Sequence, residues 1–145
     1  MSEAPRPAAD ASPDFVPPWR LRHHHVQSIY PSLPLRRPGV ERRASVLRQA
    51  SREAIVDCGD GVRLLALVAT QADAGRPPTD RLAVLLHGWE GSANSLYLLS
   101  LGQRLFDAGY DVARLNLRDH GESHHLNAGI FHSCRIAEVV GAVRE

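Results

Sequence analysis

The sequence predicts a mixed α/β fold: a β-hairpin, then a βαβ unit, then a further helix. Three observations carry this. Arg81-Leu82-Ala83-Val84-Leu85-Leu86-His87 is a nearly unbroken apolar run of strand length, ending in Gly88-Trp89-Glu90-Gly91. Such a run suits a strand covered on both faces, as in a parallel sheet. Leu98, Leu101, Gly102 and Leu105 follow at helical spacing and lead into the next strand, Tyr110 to Leu117. Upstream, Cys58-Gly59-Asp60-Gly61 separates Glu53–Asp57 from Val62–Val68, and Asp-Gly between apolar runs is a hairpin signal.

The elements follow in chain order. Met1 to Asp14, rich in Ala, Pro and acidic residues, has too little apolar surface to offset the entropy of ordering, so a disordered tail is expected. Residues 15–50 read as a proline-rich arm. Phe15, Trp19, Leu21, Ile29, Tyr30, Leu33 and Leu35 call for docking on a folded surface, but five prolines between Phe15 and Pro38 exclude a long helix. Over Phe15 to Pro38 an extended arm with one helical turn is expected. Residues 51–145 then make up the α/β part. Gln71 to Asp80, with Gly75, Pro77 and Pro78, is a loop before the central strand Arg81 to His87. Ser92-Ala93-Asn94-Ser95 supplies N-cap candidates, and Gly109 stands where a left-handed C-terminal cap belongs. Strand, helix, strand at this length predicts two parallel strands. Arg118 to Ser123 is a polar turn after the second of them. Ile136, Val139, Val140 and Val143 fall at i, i+3, i+4 and i+7, which predicts a second amphipathic helix starting near His132.

Composition excludes some classes of function. The net charge of +1 offers no argument for nucleic acid, and Arg36-Arg37 with Arg42-Arg43 reads as a solvated segment broken by Pro38 and Gly39. Cys58 and Cys134 form no paired motif, which favours a reduced, cytoplasmic protein. The N-terminus lacks the basic start and apolar centre of a signal peptide. No apolar run approaches the ~20 residues of a membrane span.

The strand into His87-Gly88-Trp89-Glu90-Gly91-Ser92, then a helix, then a strand ending in Asn116-Leu117-Arg118-Asp119-His120-Gly121-Glu122-Ser123, resembles the N-terminal half of an α/β-hydrolase. His24-His25-Val26-Gln27-Ser28-Ile29-Tyr30-Pro31, His125-Leu126-Asn127 and Phe131-His132-Ser133 are similar to the YheT-type branch of that superfamily. The resemblance implies acyl transfer to water. A serine at a G-x-S-x-G elbow attacks a carbonyl, a histidine takes its proton and an acid orients the histidine. It also implies an oxyanion donor, the backbone N–H of Trp89, with Gly88 letting the chain turn sharply and His87 bracing the loop. A carboxylic ester is the implied substrate, with no cofactor and no metal.

The chain departs from that pattern. It holds no G-x-S-x-G; Gly121-Glu122-Ser123-His124-His125 lies after the wrong strand and lacks the closing glycine. The expectation is a sheet truncated before the elbow, with nucleophile, acid and base downstream of Glu145 and the elbow starting about 10–25 residues on. The strand Leu82–Leu86 would then be an exposed apolar edge prone to intermolecular pairing.

Other readings stay open. Gly88-x-x-Gly91 could hold a phosphate at a helix start, although the Lys-Ser/Thr of a P-loop is missing. It could be a purely structural turn, and the whole chain a non-catalytic remnant or binding module. His120 and His124 stand four apart, but Gly121 argues against a helix there, and His23-His24-His25 sits inside the arm. These histidines read as turn and loop residues rather than metal ligands. Ser123 and Ser133 lack a base placed by any motif, and Asp119 reads as a brace for its loop.

Overall fold

A computed structural model describes residues 16–30 and 33–145. The expected tail, with Phe15 and Pro31 of the motifs above, lies outside the described residues. The described residues divide into two compact units, 16–30 and 33–145. In the first, Trp19–Leu21 forms a 3-10 turn and α1 spans His24–Ile29. The rings of His23, His24 and His25 lie against one another, with centroids 4.5 Å apart for the first pair and 4.1 Å for the second.

The second unit is a mixed α/β layer structure. Its helices are α2 (Arg37–Arg43), α3 (Ser45–Ala50), α4 (Leu96–Asp107) and α5 (Ile136–Arg144). Its strands are β1 (Ser51–Asp57), β2 (Arg63–Ala69), β3 (Leu82–Leu86) and β4 (Asp111–Leu115). They form one four-stranded sheet in the order β1-β2-β4-β3. β1 and β2 pair antiparallel, with Ala54 opposite Ala66. β3 and β4 pair parallel, with Val84 opposite Ala113. The antiparallel pairing of β2 with β4, which joins the hairpin to the βαβ unit, had no sequence signal.

The hairpin turn is the one its residues call for. Val62 N–H donates to Gly59 O at 2.9 Å, and the two residues between, Asp60 and Gly61, have φ of +54° and +74°. Positive φ at both central positions is the type I′ signature that Asp-Gly favours. α4 ends as expected at Gly109 (φ +82°). Tyr110 N–H reaches Leu105 O and Gly109 N–H reaches Phe106 O, each at 3.1 Å, which closes a Schellman motif.

The stretch from Phe15 to Pro38 is not one extended arm: among its described residues Trp19–Leu21 and Pro34–Arg36 are 3-10 turns, His24–Ile29 is helical, and α2 begins at Arg37. Pro38 stands in the first turn of α2, where a missing N–H costs nothing, so this proline starts a helix rather than preventing one. Val40, Ala44, Leu47 and Ala50 are buried at helical spacing. Val40 and Ala44 pack on Leu96 and Leu99 of α4. Leu47 and Ala50 join Ala69, Leu85, Leu98, Phe106 and Val112 in the core on one face of the sheet. On the other face Leu64, Ala66 and Leu115 form a smaller core, against which Val139 and Ala142 of α5 pack.

α5 starts at Ile136 rather than near His132, and the segment before it closes in a turn, Arg135 N–H to His132 O. Only part of its apolar stripe is covered: Ile136 and Val143 remain 66% and 57% exposed. β3 is the edge strand of the described sheet, and Leu82, Val84 and Leu86, which share one face, stay largely exposed. Among the described residues, no helix is long and apolar enough to cross a membrane.

Candidate functional site

β3 and β4 run parallel, so the loops that follow them emerge side by side at the carboxyl end of the sheet. In the first loop Gly91 N–H donates to Gly88 O at 3.0 Å, closing a β-turn around Trp89 and Glu90. Glu90 has φ +54°, and positive φ at the third position alone is the type II pattern. Gly88 is not the residue that makes the turn sharp. It lies outside the positive-φ region, and a Cβ there would meet nothing nearer than the Tyr97 hydroxyl at 3.7 Å. Space is short instead at Gly91, where a Cβ would stand 3.0 Å from both Gly88 O and the His87 Cβ.

Several of the loop's polar groups are fastened. Gly88 N–H donates to the Tyr97 hydroxyl at 2.6 Å, and Ser92 N–H to Ser95 Oγ at 2.9 Å. Ala93 N–H donates to Asn116 Oδ1 at 2.8 Å, and Ala93 O accepts from Arg114 Nη1 at 3.0 Å. Among the described residues, the Trp89 N–H has no such acceptor. The indole of Trp89 is 78% exposed. A cleft of about 290 Å³ lies beside it, walled by Pro34, Arg37, Glu90, Leu96 and Tyr97.

His87 ties the two loops together. Leu117 N–H donates to His87 Nε2 at 3.0 Å. Nε2 must therefore be the unprotonated nitrogen, so Nδ1 carries the proton and donates to Gly88 O at 2.8 Å. The ring is 5% exposed. Burial pushes its pKa below the usual histidine value, against the opposing pull of the Gly88 carbonyl, and the neighbouring His120 ring lowers it further. With a folded value below the unfolded ~6.5, the neutral ring's contribution is complete above about pH 6.5 and is lost as pH falls through the folded value. Two results are expected: the His87 ring titrates below ~6.5 by NMR, and stability falls on the acid side of that pH. A His87 titration at or above the free-imidazole value would contradict the bracing geometry.

Trp89, His87 and Gly88 thus stand together in one loop. Sequence reasoning missed Tyr97, Asn116 and Arg114, which hold that loop from α4 and from β4 and its end. Arg114 is 1% exposed, and its Nη2 donates to Ser51 Oγ at 2.8 Å. Burial lowers its pKa to about 10, leaving it a cation at neutral pH. Its hydrogen bonds go to a backbone carbonyl, an amide oxygen and a hydroxyl. An arginine in the middle of an apolar run was the available signal, since such residues are almost never fully buried without a structural purpose.

The second loop has its own lock. Arg118 donates from Nε and Nη2 to the Glu138 carboxylate at 2.8–3.1 Å, and from Nη1 to Ala128 O at 2.8 Å. This joins the loop after β4 to the first turn of α5. Ser123 is 1% exposed and its Oγ donates to His120 O at 2.7 Å, a structural role rather than a nucleophile's. His124 pairs with Asp119 at 2.6 Å on the surface, while His120 packs edge-on to Phe131 with centroids 5.1 Å apart. His120 and His124 therefore serve different contacts. Among the described residues, no group of three or more His, Cys, Asp or Glu is placed to hold a metal.

No family model, curated protein or solved structure matches the chain.

Proposed function

We propose that residues 51–145 carry the oxyanion-loop half of a serine hydrolase of the α/β-hydrolase type, acting on carboxylic esters, with the nucleophile, acid and base outside these 145 residues. The observation that carries the reading is the Trp89 N–H. It lacks a protein acceptor, as does the Glu90 N–H beside it in the same turn, while the flanking donors at Gly88, Gly91, Ser92 and Ala93 are fastened. A donor held in place without a partner is what a developing oxyanion needs, because no reorganisation is left to be done when charge appears. The strand order β1-β2-β4-β3 supports the same reading, since a further parallel strand beside β3 would bring an elbow next to Trp89. In this scheme a serine attacks the ester carbonyl, its proton passes to a histidine, and the tetrahedral oxyanion accepts from Trp89.

The 145-residue chain alone should hydrolyse p-nitrophenyl esters no faster than background, because one donor is worth only ~10²–10³ in rate within an intact site. In the polypeptide that includes the elbow, a fluorophosphonate should label its serine. Trp89→Pro is the sharper test. Proline is favoured at the second position of a type II turn, so the fold is kept while the N–H is removed. kcat should fall by ~10²–10³ with KM little changed. Labelling elsewhere, or full activity in Trp89→Pro, would sink the proposal. The second reading, a non-catalytic α/β binding module, is favoured by the uncovered apolar edge of β3.

A further inference from the structure

The structure assigns a second site, independent of the hydrolase reading: the groove between α2 and the C-terminal half of α4 is a binding site for the phosphate group of a small ligand. Between Pro34 and Ala50 the sequence has five arginines against one glutamate, a local excess hidden by the net charge of +1. The fold gathers three cations, Arg36, Arg43 and Arg104, around one cleft of about 450 Å³. Val40 and Ala44, both buried, form an apolar floor.

The carboxylates nearby are already engaged. Glu41 accepts from Arg37 at 3.1 Å. Asp107, at the rim of the cleft, accepts from Arg76 at 3.2 Å and from the Gln103 amide at 2.9 Å. Among the described residues, no carboxylate pairs with Arg43 or Arg104. The Arg43 guanidinium folds back over Gly39, 3.9 Å from where a Cβ would stand there. Three guanidinium groups against one carboxylate, itself engaged, leave the cleft an excess of positive charge that favours an anion, and guanidinium forks match phosphate oxygens two at a time. Tyr97 beside the first cleft and Arg104 here lie seven residues apart on α4, about 10 Å along its axis.

The test is calorimetric titration of the whole chain with inorganic pyrophosphate and with ADP at ionic strength of about 0.15 M. Saturable 1:1 binding is expected. Arg43→Ala and Arg104→Ala should each weaken it on the order of tenfold or more. Arg42→Ala removes the same charge from the same helix without touching the cleft and should leave affinity within about twofold. Arg43 and Arg104 are both exposed, so the variants should keep the wild-type circular dichroism. Tighter binding of ADP than of pyrophosphate assigns the floor to the organic part of a phosphorylated metabolite; equal affinity assigns the site to free phosphate. Equal losses in Arg42→Ala and Arg43→Ala, or no saturable binding, would overturn the site and leave only a diffuse basic surface.

Discussion

Replacing Arg118 by alanine is expected to cost about 3 kcal/mol of unfolding free energy, the lower end for breaking a buried ion pair. Arg118 is 6% exposed and its Glu138 partner is nearly as buried, so the variant strands a carboxylate in a poorly solvated place. Arg135 Nη1, at 3.1 Å from Glu138 Oε1, offsets part of the loss, which is why the upper end is not expected. Arg118→Leu combined with Glu138→Leu should recover much of it, because no uncompensated charge remains. The pair also has an acid-side signature. Burial raises the Glu138 pKa, but the hydrogen bonds and charges of Arg118 and Arg135 outweigh it, and the net value falls below the usual one. A depressed carboxylate contributes stability above its unfolded pKa of about 4.3 and loses it as pH falls through the folded value. Urea midpoints between neutrality and strong acid should show this step in the wild type and a smaller one in Arg118→Ala, where only Arg135 still holds the carboxylate. A single variant within 1 kcal/mol of wild type would mean the pair does not hold α5 to the sheet.

Gly121→Ala should cost about 2–4 kcal/mol, and should loosen a loop on another strand. Gly121 has φ +59°, where a side chain is strained, and a Cβ would stand 2.8 Å from Asn116 Oδ1. That oxygen is the acceptor for Ala93 N–H. The substitution therefore adds backbone strain and also pushes away the partner of a buried amide. Gly129→Ala separates the two effects. Its φ is +86°, yet a Cβ there meets nothing within 4 Å, so it should pay the strain of about 1 kcal/mol alone. Hydrogen exchange at the Ala93 amide is the direct readout: faster in Gly121→Ala, unchanged in Gly129→Ala. Equal exchange in both would remove Asn116 from its place as the link between the loops.

Much of the fold was legible because its signals are local. The type I′ turn needs only Asp60-Gly61, and the Schellman cap needs only Gly109 with the two residues around it. The strands at 82–86 and 111–115 could be read as parallel neighbours because a helix of twelve residues lies between them. The arm was misread because Pro38 counts as a breaker when its position within an element is unknown. Only the docking of Val40 and Ala44 on Leu96 and Leu99 makes the surrounding segment helical.

The site divides along the same line. The sequence by itself determined that a glycine-bearing turn follows an apolar strand, that Trp89 lies in that turn, and that a second polar loop ends the next strand. Periodicity and turn chemistry are properties of neighbours in the chain, so a pattern of residue types is enough to establish them. Only the tertiary structure decided what holds Trp89 in position. Asn116 reaches Ala93 across 23 residues, His87 reaches Leu117 across 30, and Arg114 reaches Ser51 across 63. Gathering Arg43 and Arg104 into one cleft likewise waited on the packing of α2 against α4. Such pairings depend on strand register and helix docking, which sum many weak apolar contacts over the whole chain. No single stretch of sequence carries that sum.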